Sequence, residues 1–376
     1  MIFEFYLSWH TMSIPPELIL GRLSDRLDAR RPLMVAAALL SGLAYFGYRY
    51  ANGLPAFLLL TALGINGYLY LNAVGGVLIG RMVGSVGRGG TTYAGYRVWG
   101  SVGYIVVTLF LGWLLSHRSG PHPGLSREAL GVVFTYGPLL FVAIALSALF
   151  VPDRSSAPAP GTRAQQLGPL PLNLRRFLLA YFLYQFALYG ASSYLSLYLK
   201  SLHAQPYQIT SVFAAGVICE VLVMTRVGRF SDLYGRRPAL AIAFLLMPLR
   251  LLAYIPATGW LWVLAVQTLH GLNFGIMGAI AIVFINDTAT DHNRGAAQAR
   301  LAAAGGLATA ISPMLCGWIA QRFSIGWMFA VMAVVGAAGA VVFLTQVQES
   351  HPTPQTWTTR APAFLHPLLR LLTAPP

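Results

Sequence analysis

Apolar residues fill the chain in blocks of about 20, each closed by a short cluster of polar residues, glycine and proline. The blocks fall at about 1–20, 33–50, 55–80, 95–116, 129–151, 174–199, 207–227, 238–256, 259–285, 296–320 and 325–346. A block of that length and apolarity is what a helix needs to cross the hydrocarbon core of a bilayer. The pattern predicts an all-α protein with about 11 spans, and no barrel-type alternation competes with it. The first block is the weakest, because His10, Pro15, Pro16 and Glu17 interrupt it, and His10 and Glu17 are left without a role. No basic segment precedes it, so a cleaved leader is not expected.

The stretches between blocks set the domain organisation. Residues 152–173 are rich in Pro, Ala and Ser and hold Arg154 and Arg163, as a cytoplasmic linker would. Residues 347–376 are polar and Pro-rich, which predicts a disordered cytoplasmic tail. Two helical bundles remain, at 1–151 and 174–346.

Composition supports lipid as the solvent. The chain is 56% hydrophobic and 10% charged, where soluble domains carry about 25% charged residues. The net charge of +14 is almost all arginine, and the arginines lie between blocks. That is the distribution of the positive-inside rule, so no nucleic-acid partner is expected. One set of loops and the tail hold 19 Lys/Arg residues; the opposite set holds Arg49, Arg118, Arg127, Lys200 and Arg322. The first set is therefore cytoplasmic, as is the C-terminus, in a multi-pass protein of a plasma membrane (a bacterial inner membrane). Cys219 and Cys316 lie inside apolar blocks and read as small core residues rather than a disulfide or metal pair. No metal-ligand spacing, nucleophile elbow or paired-carboxylate site occurs, so neither a cofactor nor an enzymatic activity is expected.

An internal repeat organises the blocks. Gly21–Pro32 reads Gly-Arg-Leu-Ser-Asp-Arg-Leu-Asp-Ala-Arg-Arg-Pro, and Gly228–Pro238 reads Gly-Arg-Phe-Ser-Asp-Leu-Tyr-Gly-Arg-Arg-Pro. The second copy follows the first by 207 residues, and so does Gly271-Leu272-Asn273 after Gly64-Ile65-Asn66. A looser pair joins Arg97 and Gly112-Trp113 to Arg300 and Gly317-Trp318. Matches in register mean two copies of one helical unit. In the second half one further block, 174–199, precedes the repeat; its counterpart in the first half would lie before Met1. The first half is expected to lack one helix, through truncation or deletion, and restoring it makes twelve spans.

The twin stretches resemble the signature Gly-x-x-x-Asp-Arg/Lys-x-Gly-Arg-Arg/Lys of the major facilitator superfamily. Gly21, Asp25, Arg26 and Arg30 match in the first copy, and Gly228, Asp232, Gly235, Arg236 and Arg237 in the second. Departures are Asp28 and Ala29 in the first copy and Leu233 in the second. The resemblance implies two pseudo-symmetric bundles, twelve helices in the intact family, a cytoplasmic latch at the twin motifs, and transport by alternating access. Tyr96–Tyr104 and Gly216–Glu220, with Arg250 and Arg294–Gln298, are similar to the proton symporters of nucleosides and phenylpropionate. That similarity implies proton-coupled symport of a small solute by a monomer in the bilayer. Proton-coupled efflux of a drug or metabolite, and a truncated protein that does not transport, remain open alternatives.

Candidate residues follow from polarity inside the blocks. Glu220 lies eight residues before Gly228, about 12 Å into the membrane. A carboxylate there must be paired, hydrated or protonated, so Glu220 is either a proton site or half of a structural pair. Arg250, near the same depth, is the candidate partner, and His270 a candidate relay. Arg97 and Tyr104 stand two helical turns apart, positions at which they can grip a charged or ring-bearing solute. Asn66 and Asn273 occupy matching places in the two halves, and Gln267, His270 and Asn273 share a helix face. Helix-to-helix bonding explains these amides as well as solute binding does. Tyr181, Tyr184, Gln185 and Tyr189 make a polar-aromatic seam that predicts a cavity wall. Gly76, Gly80 and Gly84, like Gly271 and Gly275, have the spacing of close helix packing and not of a phosphate loop.

Overall fold

A computed structural model describes residues 30–84, 89–118, 127–150, 170–289 and 294–350. These residues form eleven helices and no strand. In order they are α1 (Arg30–Gly47), α2 (Gly53–Gly84), α3 (Gly89–Arg118), α4 (Arg127–Leu149), α5 (Leu172–Ser193), α6 (Leu195–Ser201), α7 (Pro206–Tyr234), α8 (Arg236–Tyr254), α9 (Trp260–Thr288), α10 (Arg294–Arg322) and α11 (Ile325–Gln346). Among the described residues six stretches are long and apolar enough to cross a membrane: Trp99–His117 within α3, and those of α7, α8, α9, α10 and α11. The first apolar block, the first copy of the signature up to residue 29, the linker at 152–169 and the chain beyond residue 350 lie outside the described residues.

The helices group into two units, Met1–Gly161 with Gln205–Tyr207, and Thr162–Ala204 with Gln208–Pro376. The repeat is visible in helix lengths. Moved back by 207 residues, α8, α9 and α10 run from 29 to 47, 53 to 81 and 87 to 115, close to the bounds of α1, α2 and α3. It is visible again in packing: α1 packs on α2 and α4, and the equivalent α8 packs on α9 and α11.

Small residues let these helices approach. In the first unit Ser41 Oγ donates to Gly64 O at 3.0 Å, tying α1 to α2. A Cβ on Gly67 would come within 2.6 Å of Ala37 O, so α2 rides against the α1 backbone. Tyr45 stacks on Phe141 at 5.2 Å, joining α1 to α4. In the second unit α5 packs on α10 and α11. A Cβ on Gly190 would stand 2.7 Å from Cys316 Sγ, and one on Gly339 would stand 3.1 Å from Leu183 Cβ. Cys316 is thus a buried core residue; Cys219 is half-buried, and both are free thiols. Phe244 of α8 stacks on Phe343 of α11 with ring centroids 4.3 Å apart.

Two local features differ from the block pattern. The block at 174–199 is two helices, because the chain bends at Tyr194, whose N–H bonds Ala191 O at three residues instead of four. Tyr194 Oη then donates to Pro313 O at 3.0 Å and Tyr198 Oη to Tyr254 O at 2.6 Å, which fix the bend against α10 and α8. The second copy of the signature is not a loop along its length: Gly228–Tyr234 continue α7, and only Gly235 breaks the helix. Gly235 has φ +107°, a conformation that side chains rarely adopt.

Candidate functional site

The second unit holds a buried polar cluster where α7, α8 and α9 meet. Its position follows from glycine. A Cβ on Gly271 would fall 2.5 Å from the Glu220 nitrogen, and one on Gly275 would stand 3.2 Å from Glu220 O. Two glycines four residues apart on α9 therefore let α7 cross at Glu220 with the backbones nearly touching. One turn earlier Gly216 faces α9 in the same way, 3.1 Å from Gln267 Nε2 and 3.2 Å from His270 Cδ2 as measured from an ideal Cβ. Glu220 itself is 7% exposed, inside an apolar helix of 29 residues.

Arg250 of α8 is 2% exposed. Its Nε donates to Tyr254 Oη at 3.1 Å and its Nη2 to Gln267 Oε1 at 3.3 Å. Tyr254 Oη donates to the same Gln267 oxygen at 2.5 Å. The guanidinium also lies 5.5 Å from the centre of the Tyr254 ring. The triad closes through neutral oxygens, and the ion pairs among the described residues do not join Arg250 to Glu220. His270 lies against Phe274 in a tilted contact with ring centroids 4.4 Å apart, and Phe274 meets Tyr189 of α5 edge-on at 6.0 Å.

The other amides have structural partners. Asn273 is fully buried; its Nδ2 donates to Ala243 O at 2.9 Å, tying α9 to α8. Tyr184, equally buried, donates to Asn273 O at 3.1 Å, tying α5 to α9. Gln185 Nε2 donates to Tyr181 Oη at 2.7 Å within α5. A Cβ on Gly305 of α10 would lie 3.5 Å from that tyrosine oxygen. In the first unit α3 carries Arg97 and Tyr104, and Tyr104 is 46% exposed. The side chains of Asn66 and Arg97, and the surroundings of Gly76, Gly80 and Gly84, lie outside what the structure describes.

At the far end of α7 the signature motif makes its own cluster. Arg236 pairs with Asp232 one turn earlier and donates from Nε to Asp287 at 3.0 Å, which links α7, α8 and α9. Its Nη1 also donates to Ser231 Oγ at 2.8 Å. Arg237 turns the other way and donates to Val347 O and Leu344 O, both at 2.8 Å, at the end of α11. Glu349 covers the start of α8: its carboxylate accepts from the backbone N–H groups of Arg236 at 2.9 Å and Arg237 at 3.0 Å. A carboxylate at a helix N-terminus satisfies otherwise unbonded donors and opposes the helix dipole. The same carboxylate presses on Gly235, where a Cβ would have no room.

Three residues of these clusters escape sequence reasoning. Tyr254 reads as an ordinary aromatic in an apolar block. Asp287 closes a block and resembles any interfacial acid, although it is the acid nearly five turns beyond His270 on the same helix. Glu349 falls in a stretch whose composition reads as tail, yet residues 347–350 are bound to α8 and α5; Asn173 Oδ1 accepts from Gln348 N at 2.8 Å.

Comparison with known proteins agrees with this architecture. The model of the MFS_1 like family matches residues 7–331. A maltose permease of Geobacillus stearothermophilus is 25% identical over 346 residues, spanning 89% of this chain and 84% of the permease. A cis,cis-muconate transport protein of Acinetobacter baylyi is 25% identical over 287 residues, spanning 71% of this chain and 65% of that protein. Among solved structures, the nucleoside transporter NupG superposes with a TM-score of 0.69 at 16% identity, over 91% of this chain and 89% of NupG. The inward-open xylose transporter XylE from E. coli superposes with a TM-score of 0.68 at 16% identity, over 94% of this chain and 88% of XylE. With its two repeated helical units, its signature motif and this match along most of its length, the chain belongs to the MFS_1 like family, a multi-span membrane protein with the major facilitator fold.

Proposed function

We propose that this protein is a secondary active transporter that moves a small solute together with a proton by alternating access, in the plasma membrane of a bacterium. The observation that carries the reading is Glu220, a carboxyl group 7% exposed at the glycine-lined crossing of α7 and α9. Charge at that depth costs several kcal/mol unless it is offset. A carboxyl group that is neutral in one step and ionised in another moves one proton per cycle at that cost. Arg250, bonded to Gln267, and His270, packed against Gly216 one turn before Glu220, would tune that step. Gln267, Gln185, Arg97, Tyr104 and Asn66 would meet the solute, while Tyr184 and Asn273 hold the helices that carry it. The Asp232–Arg236–Asp287 cluster would hold the cytoplasmic ends of α7, α8 and α9 together in one state and release them in the other.

The test is uptake into vesicles of four labelled solutes: maltose, xylose, uridine and cis,cis-muconate. At least one should accumulate only under an imposed inward proton gradient. Glu220→Gln should bring that accumulation down to the level of vesicles without the protein. Accumulation that ignores the gradient, or that survives Glu220→Gln, removes proton coupling through Glu220.

A further inference from the structure

Arg236 and Arg237 are neighbours in sequence and hold α8 from opposite sides. Arg236 reaches Asp232 of α7 and Asp287 of α9, whose side chains are 66% and 26% exposed. Ion pairs open to water are weak and exchange readily with solvent. Arg237 is 4% exposed and donates to two main-chain carbonyls, Leu344 O and Val347 O, at the end of α11. A buried guanidinium taken off those carbonyls would be left without acceptors, which is costly. One arginine therefore makes a contact that can open, and the other makes one that holds.

The chain after α11 returns the second contact. The Glu349 carboxylate accepts from the backbone N–H groups of Arg236, Arg237 and Ser350. A side chain of α8 thus caps the end of α11, and the segment after α11 caps the start of α8. On its other side the same segment grips α5. Asn173 exchanges two hydrogen bonds with the backbone of Gln348, at 3.2 and 2.8 Å, and Arg176 Nη1 donates to Gln346 O at 3.3 Å. The seat for Glu349 is Gly235, where an ideal Cβ would stand 3.0 Å from the carboxylate carbon. The first copy of the signature has Asp28 in that place, so the glycine seat belongs to the second copy. Burial divides the helices in the same way: 61% of the apolar stretch of α8 is buried inside the protein, and 22% of that of α7.

We propose that residues 347–350 are a strap that locks the signature ends of α5, α8 and α11 into one frame, and that opening of the Arg236 contacts releases α7 and leaves that frame in place. The strap is bonded to α5 and α8 and continues α11, through groups that the Arg236 pairs do not share. The inference rests on the proposed function for the idea that the Arg236 contacts open; it does not rest on Glu220, on proton coupling or on the solute.

Hydrogen exchange of the purified full chain, read by mass spectrometry, separates strap from latch. Arg236→Gln should raise exchange at residues 228–234 by roughly 5-fold or more and leave residues 344–350 at the rate of the unaltered chain. Glu349→Ala should raise exchange at residues 344–350 and at the backbone N–H groups of Arg236 and Arg237, on a scale of roughly 5- to 30-fold. Asn173→Ala removes only the bonds to Gln348 and should act on residues 344–350; it stands in should Glu349→Ala fail to fold. Release of residues 344–350 by Arg236→Gln, to the extent seen at 228–234, overturns the inference. So does unchanged exchange at 228–234 in Arg236→Gln, or unchanged exchange at 344–350 in both other variants. Exchange needs neither gradient nor solute, so a strap that fails here leaves the transport reading standing, and a chain that accumulates none of the four solutes can still show the strap.

Discussion

The two units use the same helix pair for different ends. In the first, α1 meets α2 through Gly47 and Leu60, with Ser41 Oγ bonded to Gly64 O and, just past the end of α1, Tyr48 Oη bonded to Thr61 Oγ1. In the second, α8 meets α9 through Arg250, Tyr254 and Gln267, three side chains bonded to one another. Gly64 and Gly271 hold matching places but carry different loads. A Cβ on Gly64 would meet side chains, the Tyr45 ring at 3.3 Å and Ala44 Cβ at 3.4 Å. A Cβ on Gly271 would meet backbone, the Cys219 carbonyl carbon and the Glu220 nitrogen both at 2.5 Å. The two units share the packing partner and the spacing, and among the described residues the buried charged side chains lie in the second. Packing geometry and polar chemistry are separable in this fold, because helix approach depends on small residues and the chemistry depends on what neighbours them.

Substitutions at five positions would break or sharpen this contrast, each read by the unfolding midpoint of the purified chain. The largest effect is expected from Gly271→Ala, because the added methyl has rigid backbone in its way; about 3 kcal/mol is the scale of such overpacking. Gly64→Ala should cost less than about 1 kcal/mol, since the Tyr45 ring can shift, and equal costs would mean the glycines are equivalent after all. Gln267→Leu installs the residue of the first unit and leaves Tyr254 Oη and Arg250 Nη2 without their acceptor. It should cost about 2 kcal/mol, whereas a neutral or stabilising result would show the triad to be dispensable for the fold. Glu349→Ala should cost about 1 kcal/mol by uncapping α8, and Glu349→Gln should recover part of that, because its amide oxygen can still accept from one N–H. The smallest change belongs to Ser41→Ala, about 0.6 kcal/mol, the usual worth of a hydrogen bond between membrane helices.

Much of the architecture was legible in residue order. Ten of the predicted blocks correspond to described helices, because a helix is the one open-chain structure that satisfies every backbone group inside a bilayer. The 207-residue offset, read from Gly21/Gly228 and Gly64/Gly271, reappears in the bounds of α1 to α3 and α8 to α10. The glycine pair at 271 and 275 was readable as close packing, although its partner, the backbone at Glu220, was not. Helix ends were less legible: α7 runs on through Gly228–Tyr234, because polar residues at the membrane edge end an apolar block without ending a helix.

The site was legible only in part. Glu220, Arg250 and Gln267 stand out because polar residues are rare in apolar helices, and that rarity is a local property. Which of them touch is not local. Arg250 sits nearer in sequence to Tyr254 than to any other polar partner, and bonds it; the expected pairing with Glu220 rested on membrane depth alone, and depth does not say which face of a helix points where. Tyr184, read as part of a cavity wall, and Asn273, read as helix bonding or solute binding alike, are bonded to the backbones of neighbouring helices.

By itself, residue order determined that this chain crosses a bilayer repeatedly, that it repeats, and which few polar groups must be accounted for. These follow from composition and period, which need no knowledge of neighbours. Tertiary structure decided that Arg250 is held by Tyr254 and Gln267, and that Glu349 and Asp287 belong to the signature cluster. Each of those choices depends on the rotation and close approach of helices far apart in the chain. Such contacts are fixed by side-chain packing at the crossings, and no spacing along one helix encodes the angle at which another will meet it.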